Sequence, residues 1–236
     1  MTGKRAQAAG QARQLLLDIP THTRDRPGRF LVGGGNAEAY QRLLAWPDWP
    51  AAALVLHGPP ACGKTHLGAV WAAHAGGGLF PAAAAGDVLE RYADCPGPVA
   101  IDGVDALAGD RGAETALFHL FNLVTQSSGH LLMTARQPPA RIAWALPDLA
   151  SRLRAAPLLA IRPPDDDLLR RLLSKLFEDR QLAAPPDVVA FLLPRIERSY
   201  AGAVGIVARF DQESLRRHRS LTVRLAGEIL DGDEGA

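Results

Sequence analysis

The sequence predicts a parallel α/β domain followed by a small all-helical one. Three observations carry that expectation. Five short apolar runs alternate with stretches of helical character between Phe30 and about Arg162. A phosphate-loop pattern follows the first of those runs, and after Pro163-Pro164 only helical spacing remains. The 236 residues are 47% hydrophobic and 22% charged, enough for a packed domain and a smaller second one. Collagen, coiled-coil and largely disordered architectures are excluded on that composition.

Residues 1–29 mix Ala, Gln, Arg, Asp and Pro with little periodicity outside a cluster from Leu15 to Ile19. They read as a flexible N-terminal tail. The basic start, Met1 to Arg13, leads only into Leu15-Leu16-Leu17, which is too short for a signal-peptide core. The first domain is expected over 30–162. Its candidate strands are Leu54–His57, Gly78–Pro81, Pro98–Asp102, His130–Thr134 and Leu158–Ile161, each short and apolar as a strand covered on both faces would be. A helical lid is expected over 163–236. Leu168, Leu169, Leu172, Leu173, Leu176 and Phe177 form one stripe, with Asp165, Asp166 and Asp167 at the positive end of the dipole. Pro185-Pro186-Asp187 announces a second helix carrying Val188, Val189, Leu192, Leu193 and Ile196, and further helices are expected from Ala203 to about Leu215 and from Thr222 to Leu230.

Charge and cysteines narrow the function classes. The formal net charge is +1, from 26 Lys and Arg against 25 Asp and Glu, so there is no bulk basic excess for gripping phosphate backbones. The run Arg216-Arg217-His218-Arg219 ends a predicted helix, where cations complement the dipole. Cys62 and Cys95 form no paired motif, and the seven histidines show no metal-ligand spacing, so the expectation is a reduced cytoplasmic protein without a structural zinc. Apolar stretches such as 51–56 and 79–85 are far short of a membrane span. Trp46-Pro47-Asp48-Trp49-Pro50 reads as a connector whose rings cover the sheet edge.

The strongest chemical signal is Gly58-Pro59-Pro60-Ala61-Cys62-Gly63-Lys64-Thr65, a full match to G-x-x-x-x-G-K-[ST] between a candidate strand and a helix. Such glycines let backbone N–H groups converge on phosphate oxygens. The helix N-terminus adds positive potential, Lys64 neutralises the outer phosphates and the Thr65 hydroxyl ligates magnesium. Val99-Ala100-Ile101-Asp102 is an apolar strand ending in an acid, and Asp102 is the expected partner of Thr65 on that Mg2+. The position after Asp102, where an acid would activate water, is Gly103. Asp105 would project differently, so firm nucleotide binding with slow intrinsic hydrolysis is expected.

Several segments together carry a family resemblance. They are Phe30-Leu31-Val32-Gly33 followed by Asn36, Gly63-Lys64-Thr65-His66-Leu67, Ile101-Asp102-Gly103-Val104-Asp105-Ala106-Leu107, and Pro147-Asp148-Leu149-Ala150-Ser151-Arg152-Leu153. From Phe30 to about Leu230 the chain resembles the DnaA-type AAA+ ATPases. Its length, ending where a lid should end, makes it look like the Hda-type regulatory inactivators of the replication initiator. The resemblance implies a P-loop AAA+ fold, a five-stranded parallel sheet flanked by helices and followed by a helical lid. It adds Val32, Asn36 and His66 to the nucleotide-binding residues, with ADP or ATP and Mg2+ as cofactors and ADP as the expected resident.

The same resemblance makes Arg152 an arginine finger acting in trans. From spacing alone, a surface pair with Asp148 at i−4 is the competing arrangement. In the tail, Gln14-Leu15-Leu16-Leu17-Asp18-Ile19 resembles the peptide with which replication proteins bind the sliding clamp of DNA polymerase. Gln14, Leu15, Leu17 and Ile19 would be its contacts. Two departures bear on nucleotide sensing: Ala201 stands where the lid usually offers an arginine, and Arg136 where an acid is usual. The implied partners are the clamp and the DnaA initiator, with DNA contacted indirectly or weakly, no membrane, and self-association left open. The implied function is a clamp-bound adaptor that stimulates the initiator's ATP hydrolysis and so restrains initiation. The alternative is a self-sufficient ATPase acting as a helicase loader or initiator-like DNA-binding factor.

Overall fold

The computed structural model describes residues 30–217 and 221–231. It divides into two compact units. One comprises Phe30 with 39–58 and 63–160, and the other 31–38, 59–62 and the residues from Ile161 onward.

The first unit is built on five strands, β1 (Ala53–His57), β2 (Gly78–Pro81), β3 (Val99–Asp102), β4 (Leu131–Ala135) and β5 (Leu158–Ala160). Each lies within a residue or so of its expected position. They run in the order β2-β3-β4-β1-β5, and every pair is parallel. Burial explains the composition of the strands. Central β4 is buried at every residue and β1 at all but His57, whereas edge strand β5 alternates and leaves Leu158 44% exposed. The helices are α1 (Ala37–Leu44), α2 (Lys64–Ala75), α3 (Ala85–Tyr92), α4 (Arg111–Gln126) and α5 (Pro147–Ala155). Asp110 caps α4, its carboxylate accepting from the N–H groups of Gly112 and Ala113 at 2.9 and 3.1 Å. Helix α5 opens on Pro147, whose missing N–H costs nothing at a first helical position.

The tryptophan segment behaves differently from its expected place at a sheet edge. Trp49 stacks on Trp71 at 4.8 Å, and Trp46 and Trp49 meet the ring of His130 edge-on at 5.8 and 5.6 Å. His130 leads into β4, so the rings cover the start of the central strand. Large apolar rings are worth most where the sheet would otherwise expose its middle to water.

The second unit holds α6 (Asp166–Asp179), α7 (Pro186–Leu192), α8 (Tyr200–Arg217) and α9 (Val223–Asp231). Leu169, Leu173, Phe177, Val188, Leu192, Val207, Phe210 and Ala226 form its core, with Phe177 and Phe210 edge-to-face at 5.4 Å. Helix α8 starts three residues earlier than its apolar pattern suggests because Ser199 caps it, accepting the Gly202 N–H at 2.9 Å. Residues 31–38 join this unit through a set of local bonds. Arg162 N–H donates to the Gly35 carbonyl at 2.8 Å, Gly34 N–H to Asp165 at 3.3 Å, and the Arg171 guanidinium to the Val32 carbonyl at 2.9 Å. A Cβ on Gly35 would stand 2.7 Å from the Pro163 carbonyl oxygen, so only glycine fits there. Among the described residues no helix is long and apolar enough to cross a membrane.

Two measurements test this packing. Phe210→Ala removes a fully buried ring and should cost about 3–5 kcal/mol in denaturant unfolding of the lid. Tyr200, buried at the head of α8, has its hydroxyl pushed up from 10.0 to about 12, first by burial and then by neighbouring Cys62. A raised folded value contributes stability that is intact below pH 10 and disappears as pH climbs toward 12. Urea midpoints of wild type should therefore fall more steeply above pH 10 than those of Tyr200→Phe, and parallel curves would contradict the assignment.

Candidate nucleotide site

The strand order brings the chemistry-bearing residues of the first unit to one edge of the sheet. β1 and β3 flank β4, with His57 opposite Ala135 and Ile101 opposite Met133, so the chain leaves β1 toward Gly58 and reaches Asp102 at neighbouring carboxyl ends. Ligands of open α/β sheets bind at such ends.

The loop after β1 reverses sharply into α2. Ala61 and Gly63 hold positive φ of 57° and 90°. Ala61 does so against the preference of an L-residue, which stores about 1–2 kcal/mol of strain. Gly63 is the N-cap of α2 and, having no side chain, makes no side-chain cap bond to the first N–H groups of that helix. The Lys64 ammonium donates to the Gly58 carbonyl at 2.8 Å, folding its stem back along the loop. Uncapped N–H groups beside an ammonium form an arrangement that suits a chain of phosphates. His57, at the end of β1, is held below its ordinary 6.5 by burial first, then by the charges of Arg141 and Lys64. At neutral pH its imidazole adds no charge beside Lys64.

Asp102 is the hub of the site. One of its oxygens, Oδ2, accepts from the Thr65 hydroxyl at 2.8 Å, and Oδ1 accepts from the Thr134 hydroxyl at 2.6 Å. Thr134 in turn accepts the Gly103 N–H at 2.9 Å. Hard oxygen donors from Thr65 and Asp102 fit magnesium, which takes one or two protein ligands and completes its shell with phosphate and water. Among the described residues no three His, Cys, Asp or Glu side chains gather as a metal cage, so the protein's own share would rest on that pair. Thr134 was not singled out by the sequence. The signal was its place as the sole polar residue in the buried run Leu131–Ala135, one register step beyond Ile101↔Met133.

The water-activating position is bare. Gly103 has φ of 76° and nothing stands within 4 Å of where its Cβ would be. Asp105 lies in a short 3-10 turn, and its carboxylate accepts the Arg136 N–H at 3.2 Å and faces the Arg136 guanidinium at 3.7 Å. Arg136 thus engages the one other acid of this segment.

The remaining predicted residues fall in different places. Asn36 is 2% exposed and both ends of its amide are used: Oδ1 accepts the Gly33 N–H and Nδ2 donates to the Leu31 carbonyl, each at 2.9 Å. It shapes the turn holding Val32, whose carbonyl is taken by Arg171. His66 is half-buried, edge-on to Phe30 at 5.5 Å, with Nε2 buried and without a hydrogen-bond partner among the described residues. Cys62 is buried at 1%, while Pro60 and Ala61 are exposed. Arg152 is exposed on the outer face of α5, whose inner face is anchored by Leu149 and Leu153. Among the described residues nothing pairs with its guanidinium. The Asp148 pair does not form, although α6 makes comparable pairs such as Arg171–Asp167 at 3.0 Å. The tail residues Gln14, Leu15, Leu17 and Ile19 lie outside the described residues, as do the side chains of the basic run at 216–219.

Similarity to known proteins agrees with this geometry. The family model for the lid domain of Hda matches residues 165–230. Domain III of the replication initiation protein DnaA from Thermotoga maritima superposes with a TM-score of 0.72 at 19% identity, covering 86% of this chain and 94% of that one. AMPPCP-bound DnaA from Aquifex aeolicus gives 0.60 at 18%, over 80% of this chain and 66% of that one. The FIGL-1 AAA domain in complex with ADP gives 0.65 at 15%, over 83% and 80%. The chain thus has the fold of DnaA domain III and of AAA domains, and its residues 165–230 match the lid domain of Hda.

Proposed function

We propose that this chain is a nucleotide-binding adaptor that lends Arg152 to ATP held by a DnaA initiator, promotes its hydrolysis and so restrains replication initiation. The Hda-type lid and the DnaA-like fold support a replication-related AAA+ protein. One observation carries the finer reading: the acid that would activate water is replaced by Gly103, while Arg152 stands exposed on a well-anchored helix with no partner among the described residues. A guanidinium offered to a neighbour's γ-phosphate stabilises charge that develops in the transition state, an effect worth roughly 10³–10⁵ in rate.

The chain's own nucleotide, ADP by preference, would sit against the loop Gly58–Thr65. Lys64 would neutralise its outer phosphates, and Thr65 and Asp102 would hold magnesium. Magnesium supplies charge neutralisation there. In the tail, Gln14, Leu15, Leu17 and Ile19 would dock on the sliding clamp, Leu17 and Ile19 filling an apolar pocket and Gln14 making directional hydrogen bonds.

Mixing experiments test this reading. With initiator, ATP and clamp loaded on DNA, wild type should stimulate hydrolysis and Arg152→Ala should lose that stimulation by roughly 10³-fold. Gln14→Ala with Leu17→Ala should lose it only where the clamp is needed. Undiminished stimulation by Arg152→Ala rules the finger out, and turnover of several ATP per second without initiator favours the self-sufficient ATPase. Lys64→Ala should abolish retention of labelled ADP. Gly103→Glu has room for its side chain but must adopt positive φ, at a cost of about 1–2 kcal/mol; it should raise an intrinsic turnover that starts well below about 1 per second.

A further inference from the structure

Glu114, in the first turn of α4, is 0% exposed among Leu117, Leu120 and the rest of the first unit's core. Among the described residues no Lys, Arg or His forms an ion pair with it, so the cost of burying a carboxylate must be offset by hydrogen bonds. Three backbone donors do this. Oε1 accepts the N–H of Gly109 at 2.8 Å and of Ala145 at 2.9 Å, and Oε2 accepts the N–H of Leu146 at 2.7 Å. Charge-assisted bonds of this length are short, strong and directional.

Two of those donors lie immediately ahead of α5. Leu146 is its N-cap residue, no side chain caps the helix, and Pro147 at the first helical position has no N–H to give. The start of α5 is therefore fixed from outside, by a carboxylate on α4. Leu149 and Leu153 are buried on the inner face of that helix. Arg152 follows Leu146 by six residues, about 9 Å along the axis, on a helix too short to absorb a displaced start.

We infer that Glu114 is a positioning residue for Arg152, holding the finger helix at the height its target requires. This rests on the adaptor reading above. The geometry of a reacting pair is sensitive at this scale, since a misplacement of about 1 Å can cost on the order of 10² in rate. Glu114→Gln preserves size and one acceptor but turns the other oxygen into a donor facing a backbone N–H.

The test measures stimulated ATP hydrolysis by initiator with loaded clamp, at increasing concentrations of Glu114→Gln, Arg152→Ala and wild type. Melting curves and ADP retention run alongside. Expected for Glu114→Gln is a maximal stimulated rate reduced roughly 10²-fold, with the half-saturating concentration and ADP retention unchanged. A folded, ADP-retaining Glu114→Gln that stimulates as well as wild type, while Arg152→Ala does not, overturns the positioning role and leaves the adaptor reading standing. Wild-type stimulation by Arg152→Ala overturns both. Should Glu114→Gln fail to fold, hydrogen exchange on the unaltered protein decides. Ala145 and Leu146 amides as slow as those of α4 support the inference, and free exchange at both overturns it.

Discussion

The carboxylate of Asp102 is the interaction on which the site depends. It is held from two sides by hydroxyls, Thr65 at the first turn of α2 and Thr134 in the central strand, and Thr134 also takes the N–H of Gly103. This fastens the end of β3 to β4 and to the helix that follows the phosphate loop. A carboxylate with both oxygens directed cannot turn away from the loop, so its charge is aimed in advance. Preorganised charge of this kind need not reorganise when a ligand arrives.

The neighbourhood of that carboxylate is otherwise short of acid. Gly103 carries no side chain, and Asp105 is occupied with Arg136. Positive groups are better supplied, with Lys64 and Arg141 close enough to depress His57. Positive groups arranged this way suit the binding of an anionic ligand. Under the proposed adaptor role the catalytic cation would be Arg152, exposed on the outer face of α5 with no ion-pair partner among the described residues.

Local chemistry and long-range constraint cooperate differently in the two units. In the sheet unit, strands from distant parts of the chain converge, and their register decides which polar atoms meet. In the lid, amphipathic helices pack around Phe177 and Phe210, and the short segment 31–38 is captured by backbone bonds from Arg162 and side-chain bonds from Asp165 and Arg171. Asn36 spends its amide on the turn that this capture requires. Its influence on a bound nucleotide would pass through the backbone it shapes.

What could be read from the chain alone was whatever is written in neighbouring residues. Apolar runs of four or five marked the strands, the switch to helical spacing marked the lid, and the eight-residue loop from Gly58 to Thr65 carried its own chemistry. Helix ends were less legible where a single polar cap decided them, as Ser199 does for α8. Contacts between residues far apart in sequence were settled only by folding. Thr134 became a partner of Asp102 because two strands pair in one register and no other. Arg152 has no ion-pair partner among the described residues, although Asp148 lies four residues earlier on the same helix. Glu114 met three N–H groups because α4 and the entry to α5 are packed together. Sequence spacing specifies which partners are near along the chain, and only the folded backbone decides which polar groups lose water together and must satisfy one another.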